Sequence, residues 1–187
     1  DERARHADED GFRRDVLDDA DYPRHLREIF DPPPVLWVRG ELDPGEGERA
    51  IAVVGCRAAT REGLLLAREL SRTLAAAGVS VVSGLARGVD TAAHEGALEA
   101  QGRGIAVLGS GLDVVYPVEN AGLAKALCAR GGAVVSEVPL GRRARPESFP
   151  RRNRILAGWS TAVVVVEAGA RSGALITARC ALDEGRE

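Results

Sequence analysis

With 187 residues and a formal net charge of −3, the chain is long enough for one hydrophobic core plus a small appendage, and it is not globally basic. Its longest apolar runs, such as AVVVVE, fall well short of the roughly 20 residues that cross a bilayer, and its charged start carries no signal-peptide pattern. Cys56, Cys128 and Cys180 are odd in number, far apart and without a CxxC pair, which argues against a disulfide framework or a zinc site and fits a reducing cytoplasm.

Residues 1–50 show little periodicity. The acidic stretch DERARHADEDGFRRDVLDDAD reads as a solvated, partly frayed tail. YPRHLREIFDPPPVLWVRG then combines a short amphipathic helix, an extended Pro run and the short strand VLWVRG, and ELDPGEGER is a turn-rich linker. We assign 1–50 to an N-terminal charged tail and extension packing on the core. From residue 51 the pattern alternates: IAVVGC is a strand, REGLLLARELSRTLAAAG a helix closed by Gly78, VSVVSG a strand, and a helix follows from about Val89 to Ala100. GIAVLG is a strand, ENAGLAKALCARGG a helix and AVVSEV a strand. An arginine-rich segment leads into a helix over 150–159, then comes the strand STAVVVVEA and the helix SGALITARCALDEG. Continuous apolar strands alternating with helices predict a parallel sheet covered on both faces. The fold class is therefore α/β, a Rossmann-like, doubly wound, mostly parallel sheet over 51–187. The chain stops where another strand is expected, which predicts a truncated C-terminus.

In such a sheet, ligands sit at the carboxyl ends of the strands near the point where strand order reverses. Those ends carry Gly55-Cys56-Arg57, Ser83-Gly84, Gly109-Ser110-Gly111, Ser136-Glu137 and Glu167-Ala168-Gly169. Glycine-rich turns entering helices can turn backbone N–H groups toward an anion, so Gly55, Arg57, Ser83 and Gly84 are candidate phosphate contacts. A dinucleotide site would need GxGxxG after the first strand and an acidic residue ending the second; GCRAATREG and Ser83-Gly84 provide neither. The single lysine, Lys125, is not in a Gly-Lys-Ser/Thr loop, so ATP hydrolysis by that route is excluded. His94-Glu95 lacks the second histidine of a zinc protease, and Asp90 with His94 reads as local helix support. No GxSxG elbow or hydrolytic carboxylate pair occurs. Glu167 is the best isolated catalytic candidate, but we read it as a holder of neighbouring N–H groups or of an arginine. No catalytic constellation, metal or cofactor is expected.

The basic residues are unevenly spread. Arg142, Arg143, Arg145, Arg151, Arg152 and Arg154 crowd one segment, opposed there only by Glu147. Distribution of charge matters more than its sum for binding a polyanion. Phe149 adds a stacking ring and Asn153 an amide, the parts needed to hold a single-stranded polynucleotide without cutting it.

The segments AVVGCRAAT, VVSGLARGVDTAAHEGAL, AVLGSGLDVVYPVEN, FPRRNRILAGWS and VEAGARSGALITARCALDEGR, in this order, closely resemble the DNA-processing protein A family, also called DprA or Smf. The similarity covers roughly residues 22–187. It implies an extended Rossmann domain in the cytoplasm that binds single-stranded DNA, usually as a homodimer, and loads the RecA recombinase onto incoming strands in natural transformation and homologous recombination. Position by position, it implies a DNA pocket of Arg57, Phe149, Arg152, Asn153 and Arg154, bordered by Ser172 and Gly173. Many members carry a lysine where this chain has Pro146; Arg145 or Arg143 is expected to take over that contact. Two other readings use the same fold. One is a small-nucleotide sensor; the other is a nucleoside-monophosphate phosphoribohydrolase-like enzyme, whose PGGxGTxxE motif is replaced here by EAGARSGALIT.

Overall fold

The computed structural model describes residues 11–187; the first ten positions of the expected tail lie outside the described residues. Seven strands are present: β1 (Phe12–Val16), β2 (Val35–Gly40), β3 (Ala50–Val54), β4 (Ser80–Ser83), β5 (Gly104–Val107), β6 (Ala133–Ser136) and β7 (Ala162–Val165). The helices are α1 (Arg24–Arg27), α2 (Arg61–Ala76), α3 (Val89–Glu99), α4 (Ala121–Ala129), α5 (Ser148–Trp159) and α6 (Gly173–Asp183). The strands form one sheet in the order β1-β2-β6-β5-β4-β3-β7. Strands β3 to β7 run parallel, and β1 and β2 are antiparallel additions at the β6 side.

Alternation along each strand divides the core between the two faces. Ala52, Val54, Val82, Ile105, Val107 and Val135 pack with Leu26, Ile155, Leu156 and Trp159 of α1 and α5. Residues of opposite parity face the other way: Val53 and Val81 pack on α2 and α3, and Ala106 and Val134 pack on α4. The expected doubly wound α/β sheet with helices on both faces is thus present.

The N-terminal section departs from expectation. FRRDV, read within a solvated tail, forms β1, and every one of its residues pairs with β2. Phe12 belongs to a buried cluster with Ala124 and Leu127 of α4, while the Asp15 carboxylate, buried at 3% exposure, is neutralised by the Nε–H of Arg13 at 2.7 Å. Charges that look solvated in sequence are therefore paired inside the edge of the sheet. Tyr22, Leu36 and Val38 share a core cluster with Val54 and Trp159, so packing is continuous across residue 50.

Chain order puts the site where the topology reverses. From β3 the chain steps outward through β4, β5 and β6, then returns to place β7 on the other side of β3. Helix α5 makes that return. Its Pro150 sits in the first turn, where a missing N–H costs nothing. The strand-order reversal between β4, β3 and β7 opens a crevice at the carboxyl ends of those strands.

Candidate nucleic-acid interface

A cleft of about 680 Å³ occupies that crevice. Gly55, Cys56 and Arg57 after β3 form one wall, Gly169–Gly173 after β7 form another, and Phe149, Arg152 and Asn153 of α5 close it. A second hollow of about 230 Å³ lies on the β4–β5 side, lined by Gly84, Gly109, Tyr116 and Pro117. Arg57 and Phe149 line both. The Arg57 guanidinium lies over the Phe149 ring at 4.8 Å from its centroid, and the Tyr116 ring stands 5.9 Å away, tilted by 47°. A cation on an aromatic face is attracted by the ring quadrupole, which pre-orients the arginine at the mouth of the cleft.

The sequence-predicted residues divide by geometry. Gly55, Arg57, Phe149, Arg152, Asn153, Ser172 and Gly173 come together on the cleft. Asn153 is buried, and its amide donates to the Gly173 carbonyl at 3.1 Å, so it shapes the turn after β7. Ser172 is the N-cap of α6 and accepts from the Ala174 N–H. Ser83 is fully buried and donates to the Val53 carbonyl at 2.7 Å, away from the cleft. The Gly84 N–H is taken by Asp90 at 3.1 Å.

The arginine cluster splits. Arg154 does not line the cleft: its guanidinium is held by Glu137 at 2.8 Å and Asp31 at 2.9 Å, and it is only 13% exposed. That arrangement differs from the expected phosphate contact, because two carboxylates already satisfy its charge. Arg143 and Arg145 are exposed on the loop between β6 and α5. Arg145 lines a neighbouring groove with Glu137, Glu147 and Arg151. The loop itself is pinned where the Gly141 N–H donates to both carboxylate oxygens of Asp113 at 2.8 Å. Arg171 was not singled out in the sequence. It is exposed, lines the cleft, and makes no ion pair among the described residues. The only available signal was its place in the small-residue turn AGARSG.

The carboxylates at the strand ends serve the scaffold. Glu167 accepts from the Thr60 hydroxyl at 2.6 Å, from the Thr60 N–H at 3.0 Å and from the Cys56 thiol at 3.2 Å. Hydrogen bonds from the Thr60 side chain and from Cys56 hold its carboxyl below the usual range. It therefore holds one neighbouring N–H, that of Thr60, together with a hydroxyl and a thiol, and no arginine among the described residues. Asp90 accepts from Gly84 and Ala86 N–H groups and not from His94. Burial pushes its pKa up, against the pull of the nearby Arg152 charge. Two turns that glycine content marked for phosphate are thus occupied by the chain's own carboxylates. The start of α6 has no acidic residue in its first turn. Among the described residues no cluster of His, Cys, Asp and Glu could hold a metal ion, and no helix is long and apolar enough to cross a membrane. All three cysteines are free.

Residues 15–187 match the family described as DNA recombination-mediator protein A. Protein Smf of Escherichia coli is 49% identical over 166 residues, covering 89% of this chain and 44% of that protein. The DNA processing protein DprA of Streptococcus pneumoniae is 44% identical over 172 residues, covering 92% of this chain and 60% of that one. The chain thus spans about half the length of the curated relatives it matches. The X-ray structure of the S. pneumoniae protein superposes with a TM-score of 0.84 at 38% identity, over 98% of this chain and 63% of that one. DNA processing protein A from Helicobacter pylori, whose structure concerns a unique single-stranded DNA binding mode, gives 0.80 at 29% identity, over 92% and 78%. With the family match running from β1 to the last residue over the same sheet, the chain belongs to the DNA recombination-mediator protein A (DprA/Smf) family.

Proposed function

We propose that this chain is a single-stranded DNA-binding module that grips the strand along the switch-point cleft. In the whole protein, a cytoplasmic homodimer, it protects incoming DNA and loads the RecA recombinase in natural transformation and homologous recombination. The observation that carries the reading is the Arg57 guanidinium seated on the Phe149 ring at the mouth of the cleft, which joins a phosphate-binding charge to a stacking surface. Among the described residues, cations around it that make no ion pair include Arg57 and Arg171 on the cleft, and Arg143 and Arg145 on the adjoining loop. If each of these four meets one phosphate at a slope of about 0.7 per contact, log affinity falls against log salt with a slope near −3.

Fluorescence anisotropy tests this with an oligo-dT length series, run beside duplex DNA and a mononucleotide. We expect affinity to climb with strand length and to favour single strands over duplex. Arg171→Ala is expected to remove about 0.7 from the salt slope, whereas Phe149→Ala costs about 1–3 kcal/mol with the slope retained. Saturable mononucleotide binding with no gain from length would replace this reading by a nucleotide sensor. Release of free base from nucleoside monophosphates would replace it by an enzyme. Recombinase loading is checked by strand exchange on strands coated with single-strand-binding protein, where the whole protein shortens the lag.

A further inference from the structure

Arg152 belongs to the cleft but is placed unlike its neighbours in sequence. It is 5% exposed, and its guanidinium donates to the carbonyl of Val107 at the end of β5. Its Nε is buried with no acceptor among the described residues, out of reach of an incoming phosphate. The same guanidinium packs against Gly84, where a methyl group would come within 2.5 Å of Cζ. The buried Asp90 carboxylate takes the Gly84 and Ala86 N–H groups of the same turn. The turn after β4 is thus held by both a guanidinium and a carboxylate. Phe149 stands three residues before Arg152 on α5, on the same side of the helix, and its ring packs close to Gly109 at the end of β5. Whatever fixes Arg152 against β5 and Gly84 therefore also fixes the ring.

We infer that Arg152 is a positioning residue: its guanidinium, locked between Val107 and Gly84, sets the Phe149 ring against the turns after β4 and β5 and carries no phosphate itself. The inference rests on the single-strand reading above for its effect on affinity, but not for its effect on the ring. A planar guanidinium can donate to Val107 through one nitrogen while the rest of the group packs against Gly84, which is consistent with an arginine at a position where the charge is buried.

The test uses the 187-residue chain labelled with 4-fluorophenylalanine. Its three phenylalanines give three fluorine resonances, and Phe149→Leu assigns the one of interest. Arg152→Gln removes the guanidinium, and Gly84→Ala keeps Arg152 but puts a methyl group in its seat. For both variants we expect the Phe149 resonance to shift in DNA-free protein. Oligo-dT affinity should fall about tenfold, within the range of one lost base stack, with the salt slope unchanged. An unmoved Phe149 resonance overturns the inference. So does a slope reduced by about 0.7 in either variant, which would make Arg152 a phosphate ligand. If Arg152→Gln does not fold, Gly84→Ala decides the question alone. If the wild-type chain does not bind oligo-dT, the single-strand reading falls, and the fluorine shift still decides the role of Arg152.

Discussion

The arginines between 142 and 154 do not share one environment: Arg143 and Arg145 are exposed, Arg152 is buried and Arg154 is ion-paired, and those surroundings decide what each substitution does. Arg154 is the clearest case. With Glu137 at 11% exposure and Asp31 against it, removing the guanidinium leaves a nearly buried carboxylate with only the exposed Arg151 at 3.6 Å for a partner. Breaking a buried pair from one side costs roughly 3–5 kcal/mol, and partial exposure of this one favours the lower end. Arg154→Ala is therefore expected to lower stability by about 3 kcal/mol in urea unfolding while leaving the salt slope of DNA binding intact. A lost slope with unchanged stability would return Arg154 to the phosphate path. Part of this division was legible in the sequence. Arg152, Ile155, Leu156 and Trp159 recur at helical spacing, and all four are buried on one stripe of α5. Reading that stripe through the arginine run would have turned Arg152 inward. The placement of Arg154 was not legible, because Asp31 and Glu137 lie far from it in sequence.

At the level of elements, helix starts at the strand ends compete for anions, and a carboxylate from the chain itself takes one of them. Glu167 closes the start of α2 through Thr60, whose side chain also caps the Gly63 N–H at 3.0 Å. Its folded pKa is lowered by hydrogen bonds from the Thr60 side chain and from Cys56. A lowered carboxyl contributes stability that is present above the unfolded pKa and is lost as pH falls through the folded one. Glu167→Gln should thus unfold at lower temperature than the wild type at neutral pH, and the difference should close as the solution is taken down through the carboxylate range. A difference that persists in strong acid would mean that shape, not charge, holds the turn. Strand and helix positions were readable from periodicity because β3 to β7 are short apolar runs between turns. The strand β1 was not, since a five-residue edge strand carrying two arginines and an aspartate shows almost no apolar alternation.

On the scale of the whole molecule, sheet order converts local turns into one site. Only because β7 returns beside β3 do the Gly55–Arg57 and Gly169–Gly173 turns face each other, more than a hundred residues apart in sequence. Alternation of strands and helices announced a doubly wound sheet but not which strand crosses back, so the site was legible as a list of turns and not as a cleft. The same packing buries His94 of α3 completely beneath it, with neither ring nitrogen hydrogen-bonded among the described residues. Burial, aided by the nearby Arg152 charge, pushes its pKa down to about 4. In the unfolded chain the imidazole binds its proton near pH 6.5. Between these values the unfolded state holds more protons than the folded one, so His94 adds a term that makes stability rise with pH across that window. Asp90, whose pKa burial raises, acts in the opposite sense, so the wild-type curve alone does not isolate the histidine. A comparison with His94→Leu does. The variant removes two unsatisfied polar atoms at similar volume, which can be nearly neutral at pH 8. Its stability relative to the wild type should then rise steadily as pH falls from 6.5 toward 4. Parallel urea-denaturation curves for the two proteins across that interval would show instead that His94 keeps its ordinary proton affinity inside the fold.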